Sequence, residues 1–138
     1  HRLEQVAELD GVLYVNDSKA TNVASVLVAL ASFEPGTVHL ILGGRGKGGG
    51  YEALAAPVAA RCRAVYLVGE AADEIARALA GTGVPLERSG DLPHAVAAAR
   101  AAAGPGDVVL LSPGCTSFDQ YRDFEQRGEH FRALAREV

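Results

Sequence analysis

The sequence has no tryptophan, and only 6% of its 138 residues are aromatic. A core built around large rings is thereby excluded. The 49% of apolar residues instead favour Ala, Val and Leu, which suit close packing of helices on a sheet. There is no basic tract, and the net charge is −4 with a pI near 5.5, so nucleic acid is not an expected partner. The two cysteines, Cys62 and Cys115, make neither a metal-type spacing nor a disulfide framework, and a reduced, cytoplasmic setting fits them. No apolar run approaches the length of a membrane span and no signal peptide is visible, so no membrane partner is expected. No His, Cys, Asp and Glu cluster has metal-ligand spacing. No repeat, linker or low-complexity stretch divides the chain, which predicts a single domain over residues 1–138. Its strand-like pattern starts almost at once, as expected of a domain within a longer protein.

What is present is an alternation of short elements. Residues 3–9 and 12–15 read as strands flanking Asp10-Gly11, a pair suited to a type I′ hairpin turn because both central residues need positive φ. A helix is predicted from about Val23 to Phe33, with Val23, Val26, Leu27 and Leu30 at helical spacing and Pro35-Gly36 as the stop. Strands are predicted over 37–42, 64–68, 84–87 and 107–111. Helices are predicted over 51–60, 70–80, from Asp91 to about Ala103, and 119–135. Pro93 falls in a first helical turn, where proline is tolerated. Strands alternating with helices of 10–15 residues predict an α/β domain: a mostly parallel six-stranded sheet with an N-terminal hairpin strand and helices on both faces. In such sheets ligands bind beyond the carboxyl ends of the strands. The three polar loops that follow strands, 16–22, 43–50 and 112–118, are therefore expected on one edge.

Each loop carries groups suited to an anion. Six of the eight residues from 43 to 50 are glycine, so backbone N–H groups can turn toward a ligand, and Lys47 adds a point charge. The alternative is a flexible surface loop. The loop is not a P-loop, because Ile41 and Gly48 stand where Gly-x-x-x-x-Gly-Lys-Ser/Thr needs glycine and a hydroxyl residue. Gly44, Gly46 and Gly49 do satisfy Gly-x-Gly-x-x-Gly, with Glu70 about twenty residues on, so a dinucleotide-binding domain is a competing reading. In it, however, the third glycine falls short of the predicted helix. Asp17, Lys19 and Thr21 precede a helix N-terminus, where the dipole favours an anion. Lys19 opposes that dipole, which suggests a negative partner. Thr21 or Asn22 is a plausible helix cap, with Asn22 reading equally as a ligand contact, and Ser117 reads equally as cap or contact in a loop that also offers Ser112 and Thr116. Cys115 reads as a packed thiol in preference to a nucleophile, and His130 as a surface residue. Arg122, Arg127 and Arg132, with Asp123, Glu125 and Glu129, read as a solvated, ion-paired helix face.

Asn16-Asp17-Ser18-Lys19-Ala20-Thr21-Asn22 resembles a signature of the Mur ligases, in the branch that adds D-glutamate to UDP-N-acetylmuramoyl-L-alanine. Three further segments match in order: His1-Arg2-Leu3-Glu4, Leu42-Gly43-Gly44-Arg45-Gly46-Lys47-Gly48, and Leu111 to Asp119 followed by Phe124-Glu125-Gln126-Arg127-Gly128. The resemblance covers the whole chain. It implies a Rossmann-like, amino-acid-binding C-terminal domain of a three-domain ligase, expected to be monomeric. The P-loop and the magnesium ligands would belong to a central domain outside this chain, so the domain by itself is expected to be inactive. The implied substrates are ATP, D-glutamate and, through the other domains, UDP-N-acetylmuramoyl-L-alanine, with Mg2+ as cofactor. Carried over by position, Thr21 and Lys47 would hold one carboxylate of D-glutamate, and Ser117 with the backbone N–H of Phe124 the other. Arg2 and Lys19 would face the ATP phosphates and Asp17 the ribose, with Lys19 as the catalytic charge. Arg45 is assigned no role. A sister ligase with another amino acid is the nearer alternative.

Overall fold

Asp10 and Gly11 take φ values of 53° and 78°, the backbone that a type I′ turn requires. In the computed structural model, which describes residues 1–137, they join β1 (Glu4–Leu9) to β2 (Val12–Asn16) as an antiparallel pair. Alternation follows as α1 (Val23–Leu30), β3 (Val38–Gly43), α2 (Ala55–Arg61), β4 (Cys62–Val68), α3 (Ala72–Leu79), β5 (Leu86–Gly90), α4 (Leu92–Ala102), β6 (Val108–Leu111) and α5 (Phe124–Ala135). The six strands stand in the order β1-β2-β6-β3-β4-β5, and all pairs but the first are parallel.

The period-2 pattern of the central strands divides the core between two faces. Leu40 and Leu42 of β3, Leu110 of β6 and Leu67 of β4 pack with Val26 and Leu30 of α1, Val58 of α2 and Ile75 of α3. Ile41, Leu111 and Tyr66 point the other way, onto Val96 and Ala99 of α4 and Phe131 of α5. The chain runs outward through β3, β4 and β5 with α2 and α3 on the first face. It returns to β6 through α4 on the second, as right-handed crossovers in opposite directions require. Strand β6 is flanked on both sides by strands whose following helices cover the opposite face. That places the switch in topology, and the crevice it makes, at the carboxyl end of β6.

Several boundaries differ from the sequence expectation. Helix α1 stops at Leu30, short of Phe33. Residues 51–54 form a 3-10 turn ahead of α2. β5 begins beyond Pro85, which has no N–H to give to the ladder, and so lies later than residues 84–87. The largest difference is α5, which begins at Phe124 instead of Asp119. The Asp123 carboxylate accepts from the Gln126 N–H at 2.7 Å and caps the helix there, which leaves residues 117–123 as a non-helical strap.

Candidate functional site

Because β2, β6 and β3 are neighbours, the loops that leave their carboxyl ends meet. The Asp17 N–H donates to the Leu111 carbonyl at 2.8 Å, the Gly43 N–H to Pro113 at 2.9 Å, and the Gly114 N–H to Ala20 at 2.8 Å. Arg45 and Thr116 exchange backbone hydrogen bonds of 2.9 and 3.2 Å. Only glycine fits at position 44, where φ is 138° and a Cβ would strike the Thr116 carbonyl and Cys115. The other end of this loop differs. Gly48, Gly49 and Gly50 all have positive φ and open space around them, and they carry Lys47 into solvent.

The loop after β2 divides its residues between support and display. Asn16, Asp17 and Ser18 are buried. Asn16 Oδ1 accepts the Ser18 N–H at 3.1 Å, and its Nδ2 donates to Glu4. Asp17 accepts from the Leu3 N–H at 3.0 Å and the Ser112 hydroxyl at 2.8 Å. Burial raises its carboxyl pKa, against the pull of those two hydrogen bonds. Asn22 is the N-cap of α1, accepting the Ser25 N–H at 2.9 Å; the capping role is the one it fills. Lys19 and Thr21 point outward to different places. Arg2, Asp17 and Lys19 line a cavity of about 210 Å3 floored by Ala20, Val28 and Ala29. Thr21 and Lys47 line a second, of about 340 Å3, with Asn22, Gly114, Cys115 and Tyr51.

Ser117 and Phe124 sit apart from both cavities. Ser117 is 2% exposed, and among the described residues its Oγ has no hydrogen-bond partner. It borders a tight cleft with Gly43, Gly44, Tyr121 and Arg127. Its carbonyl accepts the Gln120 and Tyr121 N–H groups, so it starts the strap and does not cap α5. Phe124 is the first residue of α5, where backbone N–H groups have no partner within the helix. Its carbonyl accepts the Ser18 hydroxyl at 2.7 Å.

Arg127 corrects the sequence reading most sharply. Arg122 and Arg132 are ion-paired on the outside of the molecule, to Asp123 and to Glu4 and Glu129. Arg127 is instead 4% exposed. Its Nε donates to Ser18 Oγ at 2.9 Å, its Nη1 to the Cys115 carbonyl at 3.1 Å, and its Nη2 to the Ser18 carbonyl at 2.7 Å. Burial lowers its pKa to about 10, so it stays charged at neutral pH. A helical signal was present: Arg127, Phe131 and Ala135 follow at i, i+4 and i+8, and all three are buried.

The remaining candidates take supporting places. Cys115 is buried with Tyr51 Oη at 3.3 Å, and burial raises its thiol pKa, as suits a packed thiol. His130 Nδ1 lies 2.6 Å from Tyr121 Oη. Glu70, the acid of the dinucleotide reading, faces Arg45 at 3.4 Å, and Gly49 stands outside any helix. Among the described residues no group of three or more His, Cys, Asp or Glu comes together as a metal site.

With this geometry in hand, comparison with known proteins is specific. Residues 1–115 match the family "Mur ligase, glutamate ligase domain". The chain is 54% identical over 97% of its length to UDP-N-acetylmuramoylalanine–D-glutamate ligase of Marinobacter nauticus, and 51% identical over its whole length to the enzyme of that name from Pseudomonas fluorescens. It spans 30% and 31% of those relatives. Among solved structures, a murein peptide ligase from Psychrobacter arcticus superposes with a TM-score of 0.66 at 14% identity, over 99% of this chain and 30% of that one. A MurF ligase from Thermotoga maritima, solved with ADP, gives 0.60 at 21% identity, over 97% of this chain and 31% of that one. At such identities these two show the fold alone.

Proposed function

The chain belongs to the Mur ligase family, in its glutamate ligase domain, and on that premise we propose that it receives D-glutamate for an ATP-dependent amide ligase making a peptidoglycan precursor. The observation that carries this reading is the division of one loop between two cavities. Lys19 faces one with Arg2, and Thr21 faces the other with Lys47. A ligation of this kind needs two anions held side by side: the phosphates of ATP and the carboxylates of the incoming amino acid.

In the proposed reaction ATP phosphorylates the alanyl carboxylate of UDP-N-acetylmuramoyl-L-alanine. The amine of D-glutamate then attacks the acyl phosphate, and phosphate leaves from the tetrahedral intermediate. The part of this domain is positioning and charge. Lys47 and the Thr21 hydroxyl hold one carboxylate of D-glutamate, by charge-assisted hydrogen bonds. Ser117 and the Phe124 N–H hold the other. Arg2 and Lys19 neutralise phosphate oxygens, and Lys19 is the catalytic charge. Asp17 lies toward the ribose, held by Leu3 and Ser112. Mg2+ is assigned, on the family resemblance, to a central domain outside this chain. No helix among the described residues is long and apolar enough to cross a membrane; the proposed setting is the cytoplasm and the proposed state a monomer.

A panel of amino acids offered to the full-length protein with ATP and UDP-N-acetylmuramoyl-L-alanine tests the reading. D-Glutamate alone is expected to yield amide product and ADP. Turnover with L-alanine, lysine or diaminopimelate and none with D-glutamate would assign the domain to a sister ligase.

A further inference from the structure

The two proposed carboxylate subsites are built on different segments. Thr21 belongs to the loop after β2, and the Phe124 N–H to the first turn of α5. D-Glutamate has a fixed separation between its carboxylates, so these segments must be held in register with each other. Ser18 joins them directly, to Phe124 and to Arg127.

Ser18 is 0% exposed and lies between Asp17 and Lys19. Every polar group it owns is engaged. Its N–H donates to Asn16 Oδ1 at 3.1 Å, within its own loop. Its hydroxyl donates to the Phe124 carbonyl at 2.7 Å, across 106 residues of chain. The same oxygen accepts from Arg127 Nε at 2.9 Å, and its carbonyl accepts from Arg127 Nη2 at 2.7 Å. Arg127 goes on to the Cys115 carbonyl, two residues before Ser117. The Ser18 hydroxyl therefore makes two of the three hydrogen bonds by which Ser18 holds the first turn of α5 against the loop that carries Lys19 and Thr21. A hydroxyl suits the place because it both donates and accepts. An alanine there would leave the Arg127 Nε without its acceptor and the Phe124 carbonyl without its donor, with only the Arg127 Nη2 bond to the residue 18 carbonyl still joining the two segments.

We propose that Ser18 is a positioning residue that sets the distance between the two carboxylate subsites, and so selects an amino acid carrying two carboxylates at the spacing of D-glutamate. This rests on the D-glutamate reading above. Ser18 touches no substrate; it acts through Phe124 and Arg127. It differs in this from Lys47, whose loss removes one anion contact and leaves the spacing intact.

The test uses the full-length protein, with Ser18→Ala and, as a variant that keeps the side-chain shape with a somewhat larger atom and weaker hydrogen bonds, Ser18→Cys. KM is measured for D-glutamate and for ATP, together with relative rates on D-glutamate and on D-alanine, which lacks the second carboxylate. In Ser18→Ala the KM for D-glutamate is expected to rise about tenfold, the scale of one lost buried hydrogen bond to a positioned group. The ATP KM should stay within about twofold, and the preference for D-glutamate over D-alanine should fall by about the same tenfold. Ser18→Cys should shift both in the same direction by less. Equal losses for ATP, D-glutamate and D-alanine would assign Ser18 to general stability and overturn the proposal, and so would unchanged D-glutamate kinetics in both variants. If the unmodified protein makes no amide with D-glutamate at all, the parent reading fails instead, which separates the two.

Discussion

Burying a guanidinium that is ion-paired to no carboxylate is costly unless each of its nitrogens is aimed at an acceptor. Arg127 meets that condition with two carbonyls and a hydroxyl drawn from two loops. Replacing it with methionine keeps much of the volume but leaves the Ser18 and Cys115 carbonyls unpaired, at about 1–3 kcal/mol for each buried group left so. Arg127→Met is expected to lower the urea midpoint at neutral pH by a shift equivalent to about 2 kcal/mol or more. Arg127→Lys should recover only part of it, since one ammonium cannot span the three acceptors. An unchanged midpoint in both variants would mean that Arg127 is not a strut. At this scale the sequence was half legible. Lys19 and Lys47 stood out because a cation ahead of a helix N-terminus, or among glycines, has few structural uses, whereas Thr21 took its proposed role from the family resemblance alone. Ser18 and Arg127 did not, because a serine beside a lysine looks like loop, and an arginine between glutamates looks like a surface ion pair. Their value lies in partners about a hundred positions away, which spacing does not encode.

Among the elements, periodicity placed all six strands and five helices, and missed mainly where a cap decides the boundary. Ser117 was a candidate cap for α5, yet Asp123 takes that place and frees residues 117–123 as a strap. The strap is tied down by the Asp119 carboxylate, which accepts the Glu70 N–H at 3.0 Å, and by the Gln120 amide, which donates to the Gly90 carbonyl. At the opposite edge of the sheet, Asp107 just before β6 accepts the Gly104 N–H at 3.0 Å and lies 3.0 Å from His39 Nε2, with Arg63 nearby. Burial raises the Asp107 pKa, but these partners outweigh it and hold the group below the usual carboxylate range. A depressed folded pKa means that the stabilisation is present above the unfolded value, near 4, and is lost as pH falls through the folded value. Asp107→Asn is therefore expected to lose less stability than the parent as pH falls below about 4. Parallel urea midpoints for the two proteins across that range would show that Asp107 does not contribute.

For the molecule as a whole, the order β1-β2-β6-β3-β4-β5 matters more than any one loop. It sets the carboxyl ends of β2, β6 and β3 side by side, so three loops far apart in sequence share one edge. That shared edge was legible from the alternation of strand and helix together with the rule for open α/β sheets. The strand order was not, because alternation is equally compatible with several orders. The central claim is that the cavity between Thr21 and Lys47 holds a carboxylate of D-glutamate while Arg2 and Lys19 attend ATP. The direct measurement is the KM for each substrate in full-length Lys47→Ala. Loss of one charge-assisted contact, about 1.5–3 kcal/mol, predicts a rise of at least about tenfold in the KM for D-glutamate, with the ATP KM unchanged. A KM for D-glutamate equal to that of the parent, or a rise confined to ATP, would contradict the account.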